Sequence, residues 1–173
     1  IEGINGSKME ILGYAINTSS TILQRLFERM EKSRLIRGQL MVESLQALGI
    51  QISWDDVLAI KSKGVIGRPH VARALVKRGI CESTQSAFDQ YVGIGKPAYV
   101  PRYKLPAADV IRLIHDAGGL AVWAHPLIST SSPTEIPIFL NQLCDAGLDG
   151  IEFYYDYQKF FTSRPEFKPD YEA

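Results

Sequence analysis

Apolar and polar positions run along the chain in two rhythms, and they change over near Pro106. Met9 to Ile16 is a short apolar run ending at Asn17, and its strand length and flanking turn formers predict a buried strand. Thr18, Ser19 and Ser20 then offer N-caps. Leu23, Leu26, Phe27, Met30, Met41, Leu45 and Leu48 recur at helical spacing and predict a long helix that stops at Gly49. Arg34 and Arg37 fall on the same inward rail. Either the helix bends at Gly38 or the arginines snorkel past the core, or they form an inward cationic pair facing a ligand.

Ser53-Trp54-Asp55-Asp56-Val57 predicts a short second helix, with Ser53 as cap and two acids complementing the helix dipole. A third helix is expected from Pro69. A fourth follows from Ser83 or Thr84 around Ala87, Phe88 and Tyr91, before the loop Gly93 to Pro97. The stretch 22–91 is therefore expected to be all-helical. After Pro106 the pattern predicts a helix Ala107 to Ala117, a Gly118-Gly119 stop, a strand Leu120 to Ala124, a helix Ile136 to Ala146 and a strand Gly150 to Tyr154. This is a β/α alternation with parallel-type buried strands. The tail from Asp156 shows no clear period.

Composition sets bounds on these elements. At 173 residues, 46% hydrophobic and 22% charged, the chain can bury a sizeable core, which excludes disorder as a global description. Cys81 and Cys144 are far apart and have no Cys-x-x-Cys spacing. They suggest neither a disulfide framework nor a zinc knuckle, and a reducing, cytoplasmic setting is the expectation. No apolar run reaches the roughly 18 residues of a membrane span, and the opening residues do not resemble a signal peptide. The start at Ile1, without Met, leads to the expectation that the natural start lies elsewhere.

Net charge is zero but unevenly spread. From Lys61 to Lys104 nine basic residues (Lys61, Lys63, Arg68, Arg73, Lys77, Arg78, Lys96, Arg102, Lys104) face only Glu82 and Asp89, so this stretch is where an anion is expected. Within it, Gly67-Arg68-Pro69-His70 outlines an anion site. With Pro69 at the first helical position, Arg68 would be the cap, and the amides of His70 and Val71 would be free to meet a phosphate. Gly95-Lys96 is not a Walker motif, because Pro97 replaces Ser or Thr and Gln90 replaces the first Gly, but Lys96 remains a candidate phosphate contact. Tyr99, Arg102, Tyr103 and Lys104 interleave rings with bases in a way that suits base stacking and backbone neutralisation. His125, in Ala121-Val122-Trp123-Ala124-His125-Pro126, stands at the C-terminal end of an apolar strand, where α/β proteins gather active-site groups.

Four segments together resemble the bacterial PHP-domain (polymerase and histidinol phosphatase) phosphoesterases. They are Ile11 to Tyr14, Ile66 to Ala72, Gly95 to Val100 and Gly118 to Pro126. The similarity is to the branch with a helical insertion, which includes nucleotide 3',5'-bisphosphate phosphatases and 5'-to-3' exoribonucleases, and it covers Met9 to about Tyr155. The resemblance implies a partial distorted barrel of seven β/α units. Residues 1–21 would be a barrel strand segment, 22–104 an all-helical insertion closing over substrate, and 105–173 the C-terminal β/α part. It also implies two or three divalent metals per complete active site, manganese first, with zinc, iron or magnesium as alternatives.

By the same resemblance His125 matches the metal-binding His of the Ala-His-Pro motif, and Glu10 stands where the family usually has a ligand His. Arg68, His70, Lys96, Arg37 and Arg102 would hold substrate phosphate. The family's His-x-His, its Gly-x-Glu carboxylate and its Asp-x-His are expected outside residues 1–173, so this chain alone would be inactive. The implied partner is a nucleotide or short RNA, with no membrane and no obligate protein partner. The alternative is a helical DNA-reading module, since Val71-Ala72-Arg73-Ala74-Leu75 is similar to the first helix of a helix-turn-helix. Against it, the segment after Ile80 carries Asp89 and no base.

Overall fold

Period-two burial along one strand organises the β part of the chain. The structure, a computed structural model, describes residues 9–60, 65–130 and 132–163; Lys61, Lys63 and the tail beyond Ser163 lie outside the described residues. Strand β2 (Leu120–Trp123) buries Ala121 and Trp123 completely and leaves Leu120 exposed. It is the middle strand of three, antiparallel to β1 (Ile11–Tyr14) and parallel to β3 (Gly150–Ile151), with Trp123 level with Ile11 on one side and Ile151 on the other.

The chain divides into two compact units. Leu26–Tyr103 forms one, and the segments up to Arg25 and from Lys104 form the other. In the sheet unit, helices α5 (Ala107–Asp116) and α7 (Ile136–Asp145) supply Ile111, Ile114, Phe139 and Leu143, at spacings of three and four, to a core completed by Met9, Ala121 and Trp123. Gly118 ends α5 at φ +74, the left-handed conformation that glycine adopts without cost. Two further short helices follow, α6 (Pro126–Ser129) and α8 (Tyr157–Ser163).

At the start of the strands, Asp149 ties three elements together. Its carboxylate accepts the Ala121 N–H at 2.7 Å and lies 2.7 Å from His115 Nε2, in the last turn of α5. The bond to His115, then that to Ala121, holds the Asp149 carboxyl below its ordinary range. A depressed carboxylate contributes stability that is present above the unfolded-state value near 3.9 and lost as pH falls through the lower folded value. Asp149→Asn is therefore expected to lower the melting temperature at neutral pH and to flatten its fall below about pH 4, as thermal melts across pH 3 to 7 would read.

The helical unit contains most of α1 (Thr21–Ala47), together with α2 (Trp54–Leu58), α3 (Arg68–Lys77) and α4 (Thr84–Ala87), the last continuing as a π-turn over Phe88–Val92. Met41, Leu45, Val57, Ile66, Val71, Leu75 and Val92 form its core. The ends are capped as the residue types demand. Ser53 and Asp56 bond each other's main chain at 3.2 and 2.8 Å, and Ser83 accepts the Ser86 N–H at 3.0 Å. Gly38 sits where α1 meets the Trp54 ring; a Cβ there would stand 2.9 Å from two ring carbons, so the glycine is a packing requirement.

Several expectations change. The described residues contain three strands in a small sheet of a mixed α/β architecture; β2 and β3 pair in parallel as the β/α alternation predicts, whereas β1, expected to be buried, runs antiparallel to β2 with Leu12 to Tyr14 exposed. β3 covers only Gly150–Ile151 because the backbone leaves the ladder after Glu152. α1 is uninterrupted through Gly38, and its rail is narrower than expected, with Phe27 and Leu48 at least half exposed. α3 begins one residue early, with Gly67 as cap and Pro69 second. The tail beyond Asp156 starts with a helix, which Asp156 caps by accepting the Lys159 N–H at 2.9 Å. Both cysteines are free, Cys81 buried and Cys144 exposed. No helix among the described residues is long and apolar enough to cross a membrane.

Candidate metal centre and arginine cluster

His125 stands two residues beyond Trp123, the buried end of β2, and is the N-cap of α6, with Pro126 as the first helical residue. Its backbone lies at φ +33 and ψ 66, one of two non-glycine positive φ values among the described residues. Such a conformation costs on the order of 1–3 kcal/mol and persists only where neighbours enforce it. The Tyr155 ring packs on the imidazole, with centroids 5.2 Å apart, and the side chain is only 16% exposed. Across the sheet, Glu10 precedes β1; its carbonyl accepts the Ala124 N–H at 2.9 Å, and its Oε2 lies 3.3 Å from His125 Nε2.

That pair is compatible with a divalent cation. A separation of 3.3 Å is long for a hydrogen bond. Two donors each ~2.1 Å from one ion stand about 3.0–3.4 Å apart. Imidazole nitrogen and carboxylate oxygen also suit manganese, zinc or iron. Nδ1 of His125 is buried without a hydrogen-bond partner. Among the described residues no group of three His, Cys, Asp or Glu side chains comes together, so Glu10 and His125 would be two donors of a larger set.

The helical unit carries the second feature. Arg37 on α1 is 7% exposed and donates its Nε–H to the Val100 carbonyl at 2.7 Å. Burial, then the charges of Arg68, Arg102 and Arg34, lower its pKa from the ordinary arginine value, and Tyr99 opposes them. Arginine stays protonated under such shifts, so four like charges share one region. Among the described residues none of the four forms an ion pair with a carboxylate. Arg68 is pre-ordered over the rings of Phe88 and Tyr99, at 5.5 and 5.6 Å, and Arg29 lies over Tyr103 at 5.1 Å. A cavity of about 10 Å³ between Arg34, Arg37, Arg102 and Tyr103 has room for one water at most, so a phosphate would be met at the surface.

The other sequence-derived candidates lie in different settings. His70 is half-buried, and its Nδ1 accepts the Gly67 N–H at 3.2 Å, so it caps its own helix and has only Nε2 left for a ligand. Lys96 is exposed on the turn after the π-helical segment, with its N–H on the Gly93 carbonyl at 3.1 Å. Two contributors were missed from sequence. Glu152, whose Oε2 accepts the His125 N–H at 2.9 Å, could have been found by the reasoning that found His125, since Gly150-Ile151-Glu152 also ends a strand. Arg29 sits among exposed helix charges and offered no signal.

No protein-family model matches the chain. It is 31% identical over 119 residues to the 5'-3' exoribonuclease Rnm of Salmonella typhimurium, covering 69% of this chain and 41% of that protein. It is 32% identical over 145 residues to the 3',5'-nucleoside bisphosphate phosphatase of Chromobacterium violaceum, covering 83% and 51%. Among solved structures it resembles a Bifidobacterium adolescentis protein assigned as a metal-dependent phosphoesterase, with TM-score 0.66, 31% identity and coverage of 87% and 54%. A Chromobacterium violaceum amidohydrolase with bound sulfate and no metal gives TM-score 0.67, 30% identity and coverage of 86% and 53%. The chain spans about half the length, or less, of the curated relatives it matches.

Proposed function

The chain is a relative of the PHP-type metal-dependent phosphoesterases over most of its length, and on that premise we propose that it is part of an enzyme hydrolysing phosphate esters of nucleotides or short RNA. The observation that carries this reading is the strand-end pair of His125 and Glu10, two metal-type donors 3.3 Å apart. Both curated relatives named above act, by their names, on nucleotides or RNA, and the four arginines, which form no ion pair with a carboxylate among the described residues, supply the positive charge a phosphate would require.

In this reading His125 and Glu10 contribute a nitrogen and an oxygen donor to a divalent cation, manganese being the first choice. A cation held by these two residues would supply an acidified water and would neutralise charge on the phosphoryl oxygens. Arg34, Arg37, Arg68 and Arg102 bind phosphate groups of the substrate through charge-assisted hydrogen bonds. Tyr99 and Phe88 keep Arg68 oriented while it does so, and Tyr103 offers a face on which a base can stack. His70 Nε2 and Lys96 add further donors to the substrate.

The test uses the full-length gene product with adenosine 3',5'-bisphosphate and a 5'-phosphorylated short RNA. Phosphate or nucleotide release is expected with added Mn²⁺ and is expected to vanish on chelation with EDTA. Hydrolysis that survives exhaustive chelation, or none on either substrate with any divalent cation, would overturn the proposal. A DNA-reading role is disfavoured, because the helical segment after α3, residues 84–92, carries Asp89 and no Lys or Arg.

A further inference from the structure

His125 lacks the usual means by which a ligand histidine is aimed. Such a ring ordinarily gives its second N–H to a carbonyl or carboxylate, which fixes both tautomer and direction. Here Nδ1 is buried without a hydrogen-bond partner. The residue is held by its main chain instead. Its carbonyl accepts the Ile128 N–H at 3.0 Å, and its own N–H donates to Glu152 Oε2 at 2.9 Å. These two bonds bracket the left-handed conformation at φ +33, which a non-glycine residue keeps only under constraint. Glu152 is itself anchored, since its N–H donates to the Trp123 carbonyl at 2.8 Å alongside β2.

We propose that Glu152 is the positioning residue of this centre: its carboxylate grips the His125 amide and so aims the imidazole at Glu10, without itself binding the cation. The inference rests on His125 being a metal ligand, as proposed above. It differs from a ligand role in what it demands of the side chain. Accepting a backbone N–H requires an oxygen of the right reach but no charge, so glutamine can replace glutamate and alanine cannot. A directly ligating carboxylate, by contrast, supplies a charged oxygen that an amide replaces poorly.

The experiment compares Glu152→Gln and Glu152→Ala in the full-length gene product. Mn²⁺ affinity would be measured by titration calorimetry and exchange of the His125 amide by NMR. Alanine is expected to weaken Mn²⁺ binding about 10–100-fold and to accelerate exchange of the His125 amide, with glutamine staying within about threefold of the parent in both. Glutamine as weak as alanine for Mn²⁺, with the amide still protected, would make Glu152 a ligand and overturn the proposal. So would an alanine variant unchanged in both readouts. If the parent binds no Mn²⁺, the ligand reading of His125 fails separately. The amide exchange then decides the grip of Glu152 on its own, upheld by faster exchange in the alanine variant and refuted by unchanged exchange.

Discussion

His125→Ala in the full-length gene product is expected to lower kcat/KM on a nucleotide phosphate ester, and to weaken Mn²⁺ binding, by at least about 100-fold each, more than the loss of an outer partner would cause. The variant removes a nitrogen donor that is only 16% exposed and stands 3.3 Å from its companion carboxylate. Nothing among the described residues can take its place, since no third donor lies at the pair. Stability should change little, because the ring's polar atoms make only that one long contact and alanine keeps the backbone bonds to Glu152 and Ile128. Calorimetric titration with Mn²⁺, initial rates and a melting curve together read the result. Unchanged metal affinity and unchanged turnover would remove His125 from the mechanism.

The largest loss of stability is expected from Trp123→Ala, about 3–5 kcal/mol by the cost of emptying a large buried aromatic site. Trp123 is fully buried and is the largest side chain in the sheet unit's core. It faces the helices that flank the sheet, and its indole N–H reaches the buried Ser129 hydroxyl at 3.3 Å, joining β2 to α6. Truncation leaves a cavity and an unsatisfied Ser129 at once, two residues from His125. Urea unfolding followed by circular dichroism should show an earlier transition. A loss below about 1 kcal/mol would mean that the sheet unit can collapse into the space.

Local chemistry was legible where a residue type has few alternatives. The Ser53 cap, the stop after α1 and the strand-end placement of His125 could be named from sequence, and the cap of α4 narrowed to Ser83 or Thr84, because capping and strand termination are decided within a few residues. The direction of β1 was not legible, since a short apolar run suits parallel and antiparallel ladders alike. Nor was the shortness of β3, because Phe153 and Tyr154 favour strand by type but stand 79% and 89% exposed. His70 was expected to point at a phosphate, but its nearest donor, the Gly67 amide three residues back, claims one of its nitrogens. Arg37 on the inward rail was legible as an anomaly; that its Nε would seek a carbonyl 63 residues away could not be read from spacing.

The placement of the two indoles has a practical consequence. The sequence contains only two tryptophans, Trp54 stacked against Gly38 in the helical unit and Trp123 inside the sheet unit. Each half of the molecule therefore carries its own intrinsic fluorophore. Conservative removal of either one, as Trp54→Phe or Trp123→Phe, makes the remaining emission a private reporter. Whether the halves melt as one cooperative body or in succession could then be read by overlaying two spectra, with no added label.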